Sequence, residues 1–203
     1  ADIRQLRDLM RYRYKLTCFM SSEKNRLQNC LTVSNIQLAN VVSDTFGKSS
    51  KRILDKILEN PLDTSFDIES LIHSSMKKKI PELELAIDGY ITPEQAGKLK
   101  IIKKHFEDLE SRKAELEKLI LALAAPYQQK IDLILTAPSF KNIFSAIGVI
   151  SEIGANMEAF PSAKHLCSWA GLAPTNNESA GKKKSVRVSK AGCYIKPLLV
   201  QCA

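Results

Sequence analysis

Between Thr92 and Leu123 the chain carries the pattern that most limits its fold. Thr92-Pro93-Glu94-Gln95 reads as a capping box with proline at the first helical position. After it, Leu99, Ile102, Phe106, Leu109, Lys113, Leu116, Ile120 and Leu123 follow one another at alternating spacings of three and four. A strict 3.5-residue period is a coiled-coil seam, here with one polar break at Lys113, and it favours a two-helix pairing over a general amphipathic surface. The facing helix is either the first helix of the same chain, folded back as a hairpin, or a second chain. The second alternative makes a homodimer or higher oligomer the expected assembly. Pro126 ends or kinks this helix.

The rest of the chain also reads as helical. Glycine is scarce, and the only extended piece is a brief SVRVS at Ser185 to Ser189. A first helix is predicted from about Asp2 to about Cys30, with an interrupted apolar stripe through Ile3, Leu6, Met10, Thr17, Met20, Leu27 and Leu31. Arg4, Arg7, Arg11 and Lys15 line a different face, and RYRYK (Arg11 to Lys15) interleaves aromatics with cations. Such a face suits a phosphate backbone with stacked bases. The alternative is a solvated face whose tyrosines pack against a partner helix. Further on, Gly47 reads as a C′ residue, Ser49 or Ser50 as the cap of a short helix, and Pro61 as its end. From Thr136 the style changes. A helix from about Ser139 stops at Gly154, and a short helix opened by Pro161 and Ser162 ends at Gly171 and Pro174. The predicted fold is mainly α, in three stretches: a helical region over 1–90 with a basic first helix, a coiled-coil helix over 91–135, and a small helical domain over 136–203.

Composition narrows the partners. The 203 residues carry a formal net charge of +8, with a pI of about 9.2. This favours an anionic partner, nucleic acid or an acidic membrane surface. No apolar run approaches the roughly 20 residues of a spanning helix, and no apolar h-region marks a secretory signal. Cys18, Cys30, Cys167, Cys193 and Cys202 are odd in number and scattered, with no CxxC. Together with the wide separation of His73, His105 and His165, this points to a reducing cytoplasm and to no metal site in the chain. Both ends read as cut within helical segments, so a piece of a longer protein is expected.

One stretch concentrates the charge. From Ser179 to Ala203 there is no Asp or Glu, while Lys182, Lys183, Lys184, Arg187, Lys190 and Lys196 crowd behind a single serine, Ser179, on a small-residue turn. A serine hydroxyl is a weak nucleophile until its proton is removed or stabilised. The cations could hold a phosphodiester and stabilise charge developing on phosphorus. Ala180 and Gly181 would let backbone N–H groups approach phosphate oxygens. The bland alternative is a flexible basic loop. A P-loop is excluded, because Asn176 stands where its opening glycine belongs and Lys183 follows the lysine. Ser179-Ala180-Gly181-Lys182 matches the SxxK of serine acyltransferases, but the SDN and KTG elements are missing.

Over Phe160 to Leu199 the residues Phe160, Trp169, Gly171-Leu172, Pro174, Ser179-Ala180-Gly181, Lys182, Arg187, Ser189-Lys190 and Gly192 keep a characteristic order and spacing. This run resembles the C-terminal domain of bacterial insertion-sequence transposases of the DEDD-plus-serine type, the insertion sequence one-ten group of bridge-RNA-guided recombinases. ADIRQLRDLMRYRYKL, VVSDTFGKSSKRIL and the central helix resemble the helical segment between that domain and the family's RuvC-like domain. Two places depart from the pattern. Pro138-Ser139-Phe140-Lys141 replaces a glycine-bearing turn, and Glu178-Ser179 replaces a pair of serines.

The resemblance implies that the whole protein cleaves and rejoins DNA through a covalent link to Ser179. A non-coding RNA would choose the sites by base pairing. Magnesium would be held by four acidic residues in a domain preceding residue 1, and Lys182, Lys183, Lys184, Arg187, Lys190, Arg4, Arg7, Arg11 and Lys15 would contact nucleic acid. The chain by itself would bind nucleic acid weakly and cut nothing. It would work in the bacterial cytoplasm, at the nucleoid. The other readings are a non-catalytic helical module for nucleic-acid binding or dimerisation, and a coiled-coil scaffold.

Overall fold

The chain is mainly α, as the patterning predicts, with one short antiparallel hairpin. In chain order the elements are α1 (Asp2–Val33), α2 (Lys48–Glu59), α3 (Ile80–Ala86), α4 (Pro93–Ala124), α5 (Gln128–Leu135), α6 (Ile143–Ile153), α7 (Ala163–Trp169), β1 (Asn177–Ser179), β2 (Lys182–Ser185) and α8 (Ile195–Gln201). The computed structural model describes residues 2–61, 65–174, 177–185 and 187–202, excepting the side chains of 177–179 and 183–185. The chain forms two compact units. A central unit spans 15–114, and a terminal unit joins 1–14 to 115–203. Helices α1 and α4 each supply residues to both.

In the central unit the second half of α1 and the first half of α4 run antiparallel. Glu23 meets His105 Nδ1 at 3.1 Å, and Cys30 Sγ donates to Gln95 Oε1 at 2.7 Å, so numbers rise on one helix as they fall on the other. Between them and α2 lies a core of Leu27, Leu31, Ile53, Ile57, Leu99 and Phe106, with Phe46 stacked 4.1 Å from Phe106. The i, i+1, i+4, i+5 spacing of Ile53, Leu54, Ile57 and Leu58 gives α2 one buried face. Thr92 Oγ1 accepts from Gln95 N at 3.3 Å, which satisfies one orphan donor at the start of α4. The reciprocal half of the expected capping box is diverted, since the Gln95 side chain accepts from Cys30 instead.

The 3.5-residue apolar stripe of α4 is buried within the single chain. Leu99, Ile102, Phe106, Leu109, Leu116 and Ile120 are all buried, and Lys113 and Leu123 are half-buried. Of the two partners that the period allowed for α4, the central unit uses the first helix of the same chain. The homodimer expectation therefore loses the argument that raised it. A second local expectation is also corrected. Gly47 is not a C′ residue but the N-cap of α2, with φ −63° and ψ 160°. Ser50 lies inside that helix, buried, and donates to the Asp44 carbonyl at 2.9 Å. The reason is the preceding turn, where the Asp44 carboxylate accepts from Phe46 N at 3.0 Å and leads the chain into the helix. That bond, the leading cause, together with Lys24, holds the Asp44 pKa below its ordinary value despite the opposing effect of burial.

The terminal unit is built around α6. Its residues Ala146, Ile147, Gly148, Val149, Ile150 and Ser151 are buried, and it packs on α5 and α8. Asn142 caps it by accepting from Phe144 N at 2.9 Å, and Gly154 ends it at φ 88°. The helix begins at Ile143, later than the sequence suggested, because Asn142 and not Ser139 supplies the cap. A Cβ at Gly148 would stand 2.9 Å from Leu198 Cδ2 and 3.5 Å from Met10 Cε, so this glycine allows α8 and α1 their close approach.

Leu99→Ala removes a side chain 1% exposed and is expected to cost about 2–5 kcal/mol. Urea unfolding followed by circular dichroism checks it. The unfolding midpoint should not depend on protein concentration, because the seam is filled by the chain's own residues. A midpoint that rises with concentration would mean that a second chain stabilises the folded state.

Candidate functional site

The Ser179 region is a two-stranded hairpin with a closed base. Strands β1 and β2 pair antiparallel, with Ser179 opposite Lys182 and Glu178 opposite Lys183. Ala180 and Gly181 both take positive φ, 50° and 73°, as a two-residue hairpin turn of the mirror type requires. Gly181 adopts this freely. Ala180 does so at a cost, since its Cβ crowds the backbone there. Pairing continues down the stem through a bridge between Pro174 and Val188. The SVRVS expectation is thus met in part, with Ser185 ending β2 and Val188 in the bridge; Val186 lies outside the described residues.

At the base, two backbone segments touch with no side chain between them. Gly171 (φ 70°) and Gly192 (φ 66°) both lie in the left-handed region. A Cβ on Gly171 would stand 2.6 Å from the Ala191 carbonyl oxygen, and one on Gly192 would drive into the Ala170 carbonyl. Only glycine fits either position. Leu172 N donates to Cys167 O at 2.9 Å, closing the last turn of α7 as it enters the stem. On the return side Ala191 N donates to Ser189 Oγ (3.3 Å), Lys196 Nζ donates to Ser189 O (3.2 Å), and Lys196 N donates to Gly192 O (2.8 Å) at the start of α8. Lys196 is therefore a brace of the hairpin base.

The expected basic residues fall into separate groups. Lys182 stands at the hairpin turn, with Arg187 and Lys190 on the return strand, and all three are exposed. The side chains of Ser179, Lys183 and Lys184 lie outside the described residues, although their backbone belongs to the hairpin. Arg4 and Lys15 are exposed on α1. Arg7 and Arg11 are committed to internal partners. Arg7 Nε donates to Ser151 O at 2.8 Å and its Nη2 to Glu152 O at 3.1 Å, so it caps the C-terminus of α6, where the helix dipole favours a cation. Arg11 makes a bidentate pair with the Glu152 carboxylate at 2.8 and 2.9 Å, and its guanidinium lies 4.5 Å over the Tyr194 ring. The bond to Glu152 raises the Arg11 pKa above its already high ordinary value, so the group stays charged.

The RYRYK interleaving has the same explanation. Arg13 pairs with Glu117 at 2.7 Å and lies 4.3 Å over Phe144, while Tyr14 meets Tyr194 edge-on at 5.7 Å. The pattern that resembled base stacking holds α1 to α6, α8 and the end of α4 within the terminal unit. Sequence reasoning passed over Glu152 and Tyr194. The cue was available, since Glu152 is the one carboxylate of an otherwise apolar helix and is nearly buried, which demands a cation. Among the described residues no group of three or more His, Cys, Asp or Glu stands where it could hold a metal ion, and no helix is long and apolar enough to cross a membrane.

Arg11→Ala is expected to lower stability by about 1–3 kcal/mol, because it leaves the Glu152 carboxylate unpaired. It should leave the salt slope of oligonucleotide binding unchanged. Lys190→Ala should do the reverse, with stability intact and the slope of log affinity against log salt reduced by about one. Titrations at several salt concentrations, paired with thermal unfolding, separate the two. A reduced slope for Arg11→Ala would show that it contacts phosphate after all.

Residues 132–203 match the family model described as Transposase IS116/IS110/IS902 family. The matched segment runs from within α5 through α6, α7, the Ser179 hairpin and α8. No curated protein and no solved structure matches the chain. The C-terminal part of the chain is similar to the transposases of that family, and the match supports a transposase role, with DNA as the partner which that role implies.

Proposed function

We propose that the chain is part of a transposase that cuts and rejoins DNA strands through a serine–DNA phosphodiester, with Ser179 as nucleophile. The observation that carries this reading is the position of Ser179. It is the last residue of β1, directly before the Ala180–Gly181 turn and opposite Lys182, within the segment that matches the transposase family. A tight turn of small residues leaves its backbone amides open to a phosphate. Gly181 has nothing within 4 Å of where a Cβ would stand, so the turn leaves room for a DNA strand.

In this reading the Ser179 hydroxyl oxygen attacks a phosphorus of the DNA backbone. A P–O bond to serine forms, the bond to one sugar oxygen breaks, the serine proton passes to a base, and the leaving oxygen takes up a proton. Because one phosphodiester replaces another, attack by a new sugar hydroxyl reverses the step and joins strands. Lys182, Lys183, Lys184, Arg187 and Lys190 would hold the phosphate and offset charge on its oxygens. The described residues offer no ligand set for the magnesium that the resemblance implies. Its ligands belong, in this proposal, to an acidic domain of the whole protein, and the 203-residue chain alone binds nucleic acid without cutting it. A guiding RNA would select the sites, and the protein would act in the cytoplasm at the nucleoid.

The test uses the whole protein with its RNA, magnesium and a nicked DNA substrate. A covalent protein–DNA adduct should map by peptide mass to the peptide holding Ser179. Ser179→Ala should abolish the adduct and lower cleavage by several orders of magnitude, with DNA binding retained within about twofold. Cleavage that survives the substitution would remove Ser179 as nucleophile. Binding without any adduct would favour a non-catalytic nucleic-acid module.

A further inference from the structure

We propose that Trp169, braced by Phe160, is a stacking platform for an unpaired nucleobase beside the serine hairpin. This rests on the nucleic-acid reading above and adds a second point of contact to it. Helix α7 is unusual in the terminal unit, because nearly its whole surface faces solvent. Ala163, Lys164, His165, Cys167, Ser168 and Trp169 are all exposed, and Leu166 is half-buried. Trp169 is the one tryptophan of the chain, and 45% of it remains exposed. Leaving so much of an indole in water is costly unless something covers it.

The indole is held firmly. Phe160 meets it edge-on, with ring centroids 5.5 Å apart and planes at 64°. The next residue, Ala170, is fully buried, and Gly171 after it is clamped against Ala191. Trp169 therefore projects from a fixed base shared with the hairpin. A rigid aromatic loses little entropy when a ring stacks on it.

The surroundings point to the occupant. His165 lies one turn earlier on the same helix face, held by Ser162 at 2.8 Å, and Lys164 precedes it. Lys190 is exposed on the segment that lies against Ala170 and Gly171. Between Glu158 and Glu178 the chain has no carboxylate, and after Glu178 it has none. A protein partner would more often meet a rim of mixed charge around an aromatic anchor. An exposed indole flanked by Lys164 and Lys190 suits a polyanion that carries flat rings. The base must be unpaired, because a duplex keeps its faces stacked on their neighbours. At a site of strand exchange such a base lies next to the phosphate under attack.

The single tryptophan makes the test specific. The chain is titrated with an oligothymidylate strand, an abasic strand of equal length and a blunt duplex at low salt. Indole fluorescence is read at an excitation where tyrosine does not absorb, and binding is followed separately by anisotropy of a labelled strand. Oligothymidylate should quench Trp169, while the abasic strand and the duplex should bind with little quenching. Trp169→Ala should weaken oligothymidylate binding about tenfold and abasic binding hardly at all, and Trp169→Phe should retain most of the affinity. An oligouridylate strand tells whether RNA or DNA is preferred, and quenching by either supports the platform. Binding of oligothymidylate without quenching, or equal weakening of all strands by Trp169→Ala, would overturn the platform and leave the nucleic-acid reading standing. Absence of binding by any strand at low salt would instead overturn that reading.

Discussion

The meeting of two backbones, Ala170-Gly171 against Ala191-Gly192, is the constraint on which the C-terminal segment depends. It closes a loop of about twenty residues, whose ends must be brought together at an entropic cost. The contact is repeated up the stem by the Pro174–Val188 bridge and by β1 with β2. No side chain could substitute for it, because a Cβ at either glycine would meet a carbonyl. The Ala180–Gly181 turn and the base are thus two ends of one device. One end presents a serine beside a lysine, and the other fixes the neighbouring tryptophan.

That device is tied down by charge taken from the surface. Glu152 ends an apolar helix and is nearly buried, so it needs a permanent cation. Arg11 supplies it in bidentate form and lies over Tyr194 as well, two residues beyond Gly192. Arg7 adds the carbonyls of Ser151 and Glu152. The basic face of α1 is therefore partly structural, whereas Lys182 and Lys190 of the hairpin segment stand exposed. Formal charge overstates what a polyanion meets, since a guanidinium spent on a carboxylate attracts little else.

The central unit shows the same economy with apolar surface. A long helix with a 3.5-residue stripe is stable only when the stripe is covered. Here α1 and the segments around α2 cover it, so the seam is core. The Gln95 side chain, which would have completed the capping box, instead accepts from Cys30 on α1. Local capping thus yields to a contact between helices.

The sequence by itself determined the mainly α fold, the start of α4 at Pro93, the stop of α6 at Gly154 and the run of cations behind Ser179. These depend on period, on capping chemistry and on residues with one permitted geometry, all local in the chain. Only the tertiary structure decided which helix fills the α4 seam, which arginines are consumed by Glu152, that Gly171 and Gly192 close the hairpin base, and that Trp169 stands exposed beside it. Each of these turns on a partner distant in sequence: Arg11 and Glu152 are 141 residues apart, and Gly171 and Ala191 belong to opposite sides of a loop. A charge or an aromatic ring reads the same in a sequence whether it faces solvent or a partner, and packing alone settles which.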